Sequence, residues 1–220
     1  MAGQGGANAS GGARWVVLTL LAIGVLISYI DRTSISSVLA DKAFVRYFSL
    51  TSTDRGWINS AFFWSYALFQ IPMGWIVDRY GVKWPYAAFF FVWCLATAAT
   101  GLVGGLIALI LLRLLIGSAE AIVIPASYRW IRDNFAEDRS GLAVGLFSLG
   151  NKIGPAIGAP VAIWFIVNYS WKTMFLATGL VGLVWLVPWL ALIRSDLPTA
   201  TQLVAAKRRA SSVSFASILR

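Results

Sequence analysis

The sequence predicts an all-α integral membrane protein of six transmembrane helices. Three observations carry that expectation. The chain is 59% hydrophobic and only 12% charged, with mean hydropathy +0.75, whereas a soluble domain is about 25% charged. Its apolar residues fall in runs near the ~20 that a helix needs to cross the hydrocarbon. Eleven Trp and seven Tyr suit aromatic belts at two membrane interfaces. The net charge of +9 would also suit nucleic acid, but the charges lie in short loops between apolar runs. They read as orientation signals, and no nucleic-acid partner is expected. A single cysteine, Cys94, excludes an internal disulfide framework. With no His besides, neither a metal site nor a cofactor is expected.

Residues 1–14 are rich in Gly, Ala, Ser and Asn and carry one charge, Arg14. They lack a basic n-region and a cleavage site, so they read as a disordered cytoplasmic tail and not a signal peptide. Residues 15–194 hold the bundle. The first helix starts at Trp15 and continues past Arg32; a polar loop follows from about 39 to 55. Residues 56–77 form the second helix. Residues 84–128 are too long for one span, and Gly104-Gly105 marks the turn between a third and a fourth. Arg129 to Arg139 reads as a polar loop. A fifth helix covers about 141–166, Asn168-Tyr169-Ser170 makes a tight turn, and a sixth covers about 172–193. Pro72, Pro125, Pro160 and Pro188 are expected to kink helices, which membrane proteins tolerate. Residues 195–220 form a basic segment whose Lys207-Arg208-Arg209 suits anionic headgroups of the lipid bilayer.

With the N-terminus inside, eleven of the 18 Lys and Arg are cytoplasmic, four are external and three lie at membrane depth. That excess predicts cytoplasmic N- and C-termini in a cell (inner) membrane.

Charge at membrane depth is expensive and marks a solute or proton pathway. Asp31, Arg32, Arg113 and Glu120 all fall inside predicted spans. Arg113 and Glu120 are seven residues apart, two turns and roughly 10 Å of rise along one face. Asp31 and Arg32, being adjacent, point about 100° apart. Arg32 is expected to face the cavity and Asp31 the fourth helix. The alternative is a structural network in which Arg113 merely neutralises Glu120 and Asp31. A carboxylate poised between burial and a nearby arginine can load and release a proton. Lys152, after Asn151 in the fifth helix, is either a second anion contact or a snorkelling or ion-paired cation. Gly150, Gly154 and Gly158 form a small-residue stripe that signals helix packing.

Between the second and third helices stands Gly74-Trp75-Ile76-Val77-Asp78-Arg79-Tyr80-Gly81-Val82-Lys83. Gly74 would let a neighbouring helix approach, and Gly81 would permit a tight turn. Asp78 could pair with Arg79 or a neighbouring helix end. An ordinary basic loop is the alternative reading.

This decapeptide resembles motif A (G-x-x-x-D-R-x-G-x-[RK]) of the major facilitator superfamily, in the loop where that family carries it. Arg113-x-x-x-Gly117 resembles the family's RxxxG motif. Tyr29-Ile30-Asp31-Arg32 and Arg113-Leu-Leu-Ile-Gly117-Ser-Ala-Glu120 resemble the anion:cation symporter branch, which includes hexuronate, hexonate and phthalate carriers. The resemblance implies the N-terminal half of a major facilitator fold, an inverted 3+3 helix repeat. It implies a secondary active transporter, not an enzyme, that moves a small organic anion with protons by alternating access. By that resemblance Arg32 binds the substrate carboxylate, while Tyr29, Tyr66 and Asn151 line the site. Asp31 and Glu120 carry protons, Arg113 tunes them, and Gly74, Asp78, Arg79, Gly81 and Lys83 form a cytoplasmic gate. The chain stops where a seventh helix is expected, so a C-terminal half is expected to complete it. The competing expectations are an organic anion or phosphate-ester antiporter and a non-transporting truncated half.

Overall fold

The computed structural model describes residues 11–193, and among them every regular element is α-helical. Helix α1 spans Gly11–Ala40. It takes in residues 11–14 at its start, so within the described residues the chain is already helical before Trp15. The expected tail over 1–10 and the basic segment over 195–220 lie outside the described residues.

The connection after α1 is not the open loop that its polar composition predicts. Asp41 caps the short helix α2, Lys42–Tyr47, by accepting from the Phe44 N–H at 3.0 Å. Phe44 is buried against Trp171, which anchors the segment to the bundle. Helix α3, Ser52–Tyr80, opens with a reciprocal capping box. The Asp54 N–H donates to the Thr51 hydroxyl, and the Thr51 N–H donates to the Asp54 carboxylate. The Thr51 hydroxyl also donates to that carboxylate, and together with the N–H bond holds it below its ordinary 3.8. The helix ends at Gly81, whose φ of 79° is one that a residue with a Cβ rarely adopts.

Helix α4 covers Lys83–Thr100, and the chain turns through Gly104-Gly105 as expected. The fourth and sixth rods are each broken once. Helix α5, Leu106–Glu120, gives way to α6, Val123–Asn134, and α8, Trp171–Val184, gives way to α9, Leu186–Leu192. Pro125 and Pro188 explain both breaks: a proline has no N–H to bond the carbonyl four residues back, at Ala121 and Val184. Pro72 and Pro160 instead lie inside continuous helices. The polar stretch from Arg129 to Arg139 is also mostly helical. α6 runs through it with Trp130 and Ile131 buried, and only Phe135 and Ala136 separate it from α7, Glu137–Asn168. Charged residues on one face of an amphipathic helix mimic a loop in composition. At the next turn Ser170 caps α8, accepting from the Thr173 N–H at 3.1 Å.

Among the described residues four segments are long and apolar enough to cross a bilayer: Gly12–Ala40, Leu106–Asn134, Glu137–Asn168 and Trp171–Leu192. The outer surface agrees, since Ile71 is 84% and Val167 75% exposed, which water would not tolerate across a whole surface.

The helices pair by close approach. α1 packs along α7, α3 along α5, and α4 along α8. A Cβ on Gly154 of α7 would stand 2.5 Å from the Tyr29 Cβ of α1, and one on Gly117 of α5 would strike the Phe62 carbonyl of α3. The stripe Gly150–Gly154–Gly158 is therefore a packing surface for α1, as its spacing predicts. Group the rods into a first three (α1, α3, α4) and a last three (α5–α6, α7, α8–α9). Exchanging the groups maps the α1–α7 pair onto α5–α3 and the α4–α8 pair onto itself, the contact pattern of an inverted repeat.

Candidate functional site

The membrane-depth charges converge, but in a different pairing from the one expected. Glu120, at the last turn of α5, is fully buried. Its Oε2 accepts from Arg32 Nε at 2.9 Å and from the Ser28 hydroxyl at 2.7 Å, both on α1. Its Oε1 has no partner. Arg32 thus pairs with the fourth rod, where Asp31 was expected to point. Asp31 turns to the third: its Oδ2 accepts from Trp93 Nε1 at 2.6 Å and from the Thr97 hydroxyl at 3.4 Å, both on α4. The swap follows from helix geometry. Adjacent residues diverge by about 100°, so the Asp31 side chain reaches α4 while the Arg32 side chain reaches α5.

Arg32 also has an aromatic cage. Its guanidinium carbon lies 4.7 Å from the Tyr29 ring, 4.5 Å from Tyr66 and 5.0 Å from Phe62. Such rings favour a cation over their faces. Only 16% of the Arg32 side chain is exposed, so it is held at depth with one edge open. Arg113 is buried too, its guanidinium carbon 4.8 Å from the Phe62 ring, and its Nε has no partner. Among the described residues Arg113 forms no ion pair, so the expected neutralisation of Glu120 by direct contact falls to Arg32. Both guanidiniums thus lie over the Phe62 ring.

Tyr29 and Tyr66 are thus brought to Arg32, while Asn151 and Lys152 are not. Asn151 is half-buried on α7 with its Oδ1 unpartnered, beside Gly150 where α7 touches α1. Lys152 is exposed and has no ion pair among the described residues.

Ser28, Phe62, Trp93 and Thr97 are contacts of the candidate site that the sequence reading missed. Ser28 and Phe62 sit one helical turn from Arg32 and Tyr66, a spacing that could have flagged them. Trp93 and Thr97 share a face of α4, but nothing in the sequence ties that face to Asp31.

The loop motif is joined by a residue that composition had counted only as an inside charge. Arg129 of α6 donates through Nη1 to the Val77 carbonyl near the end of α3. The same nitrogen lies 3.6 Å from the Asp78 carboxylate, and Arg129 Nε lies 3.4 Å from Asp133. Asp78 therefore pairs with Arg129 and not with Arg79. The Arg79 guanidinium lies over the Trp75 and Tyr80 rings, and Lys83 Nζ lies 5.5 Å from the Trp84 ring. Gly74 departs from expectation: a Cβ there would meet nothing within 4 Å, so no described helix approaches it. It lines an open cleft of about 380 Å³ with Asp78, Tyr128, Arg129 and Arg132.

A multi-pass helical membrane protein with paired rods in inverted order and an arginine–carboxylate pair at depth has the architecture of a secondary transporter. The sequence profile of the Major Facilitator Superfamily matches residues 21–220, and the chain belongs to that family. It is 30% identical over 179 residues to the hexuronate transporter of Escherichia coli K12, covering 81% of this chain and 41% of that protein. It is 32% identical to the galacturonate transporter of Dickeya chrysanthemi, covering 81% and 51%. The D-galactonate transporter of Escherichia coli O6:H1 is 35% identical, with 81% and 41% covered. The chain thus spans about half or less of the length of these relatives. Among solved structures, a bacterial homolog of the human lysosomal transporter Spinster, inward-facing and unoccupied, superposes with TM-score 0.77 at 22% identity. That superposition covers 85% of this chain and 44% of the other. All are transporters, and none is an enzyme.

Proposed function

We propose that the chain forms half of a proton-coupled symporter for a small organic anion, a sugar acid. The caged Arg32–Glu120 pair is the single observation that carries this reading. A sugar-acid carboxylate offers Arg32 a carboxylate partner of the kind that Glu120 now supplies through one oxygen. If the substrate takes Arg32, Glu120 is left buried without a cation, a costly state that a proton removes. Binding of the anion and of a proton are thereby linked through one guanidinium. Asp31, held by Trp93 and Thr97, is the second proton carrier, and Arg113 offsets charge from against the Phe62 ring. Tyr29 and Tyr66 contribute hydroxyls to the sugar, and Asn151 and Lys152 join from α7. α3 and α4 supply the remaining two crossings of a six-span half, with both termini cytoplasmic. The Asp78–Arg129 contact is read as part of a gate that ties α3 to α6, along with Gly74, Arg79, Gly81 and Lys83. Alternating access requires the complementary half.

Uptake of labelled galacturonate into vesicles carrying the complete two-half transporter tests this. Arg32→Ala should abolish uptake. Glu120→Gln should retain exchange of labelled for unlabelled substrate while losing accumulation driven by a proton gradient. Uptake that survives Arg32→Ala would remove the anchor, and gradient-driven accumulation that survives Glu120→Gln would remove the coupling.

A further inference from the structure

A second cavity borders Asp31, the proposed second proton carrier, from a side that the proposed mechanism leaves empty of ligand. It measures about 210 Å³ and opens between α1, α7 and α8. Ile27, Ile30, Phe165 and Val181 form apolar walls, with Asp31 and Thr178 as polar lining. Asp31 is 5% exposed; its Oδ2 is taken by Trp93 and Thr97, and its Oδ1 has no partner. No lysine or arginine among the described residues forms an ion pair with it. The mouth is framed by Val181, 67% exposed, on a surface that continues through Leu180 and Val184. That surface is apolar, so the cavity opens toward hydrocarbon.

An apolar pocket lined by a carboxylate that keeps one unpaired oxygen selects its ligand by two features. The walls favour an alkyl or aryl group, and a cavity of about 150 Å³ already holds benzene. The free oxygen favours a hydrogen-bond-donating cation, since a charge-assisted bond is strongest where water is excluded. We propose that this cavity is a binding site for a small lipophilic ammonium ion, which enters from the bilayer side and pairs its nitrogen with Asp31. The site is separate from the Arg32 cage, where the charge is of the opposite sign and an anion would dock. The inference stands whether or not the chain carries a sugar acid.

The test uses the full purified chain in lipid vesicles, with 4-fluorophenethylamine as probe and fluorine NMR line broadening as readout. Protein-free vesicles give the partitioning background. We expect saturable broadening above that background, with at least tenfold weaker binding of the neutral 4-fluorophenethyl alcohol. Ala177→Phe, which fills the cavity from α8 and keeps Asp31, should weaken amine binding at least tenfold. Asp31→Asn should do the same, and Ala177→Phe carries the test should that variant not fold. Equal binding of amine and alcohol would overturn the role of the carboxylate. Amine binding unchanged by Ala177→Phe would place the ligand elsewhere and overturn the site.

Discussion

Among the described residues two arginine–carboxylate contacts tie helices together, and they differ in solvent more than in geometry. Arg32–Glu120 spans 2.9 Å with side chains 16% and 1% exposed; Arg129–Asp78 spans 3.6 Å with 14% and 71% exposed. Deep in the bundle the Glu120 carboxylate has no water to fall back on, so it depends on Arg32 and on the Ser28 donor. At the loop, water solvates Asp78 whether or not Arg129 is present. The same residue types therefore make an obligatory pair in one place and an optional one in the other. An obligatory pair is also the one that a competing ligand can exploit, because breaking it has a large consequence.

The largest expected effect breaks the deep pair from one side. Glu120→Leu leaves Arg32 uncompensated at depth and should destabilise the chain by about 3–5 kcal/mol in detergent thermal unfolding. Adding Arg32→Met should restore more than half of that loss, since an apolar pair of similar volume is often neutral or better. A single-variant cost under about 1 kcal/mol would mean that Arg32 finds water at that depth, and the contrast with the loop would collapse.

A smaller effect sharpens the deep side of the comparison. Trp93→Phe keeps a ring against Phe90 but removes the donor at 2.6 Å from Asp31. Losing that partner of a buried carboxylate should cost about 1–3 kcal/mol. Thr97→Val removes the longer 3.4 Å bond and should cost less. The reverse order of the two in unfolding midpoints would reassign the main partner of Asp31.

The smallest effect is expected at the loop. Asp78→Asn should change stability by no more than about 1 kcal/mol, and what it changes should fade as salt rises. Arg129→Ala should cost more than Asp78→Asn, because it also removes the donor to the Val77 carbonyl. Equal costs for the two would show the carbonyl contact to be idle.

Much of the architecture was legible before any coordinates. Helix ends marked by the Gly104-Gly105 turn, the Ser170 cap and Gly81 follow from backbone chemistry within a few residues. The breaks at Pro125 and Pro188 follow from a missing N–H, and the glycine stripe on α7 announced a close neighbour. α2 and the helical stretch through Arg129 were not legible. There, buried Phe44, Trp130 and Ile131 override a polar composition, and burial depends on what packs against them.

The charged residues themselves were set by sequence alone: Asp31, Arg32, Arg113 and Glu120 could be picked out because hydrophobic context makes them costly wherever they point. Which charge meets which was decided only by the tertiary structure. The 100° between Asp31 and Arg32 is a property of any helix, but it becomes a pairing rule only once α4 and α5 are placed around α1. That placement sends Asp31 to Trp93 and Thr97, sends Arg32 to Glu120 and leaves Arg113 against the Phe62 ring. Local sequence determines what a helix carries; the packing of helices far apart in the chain determines what each group faces.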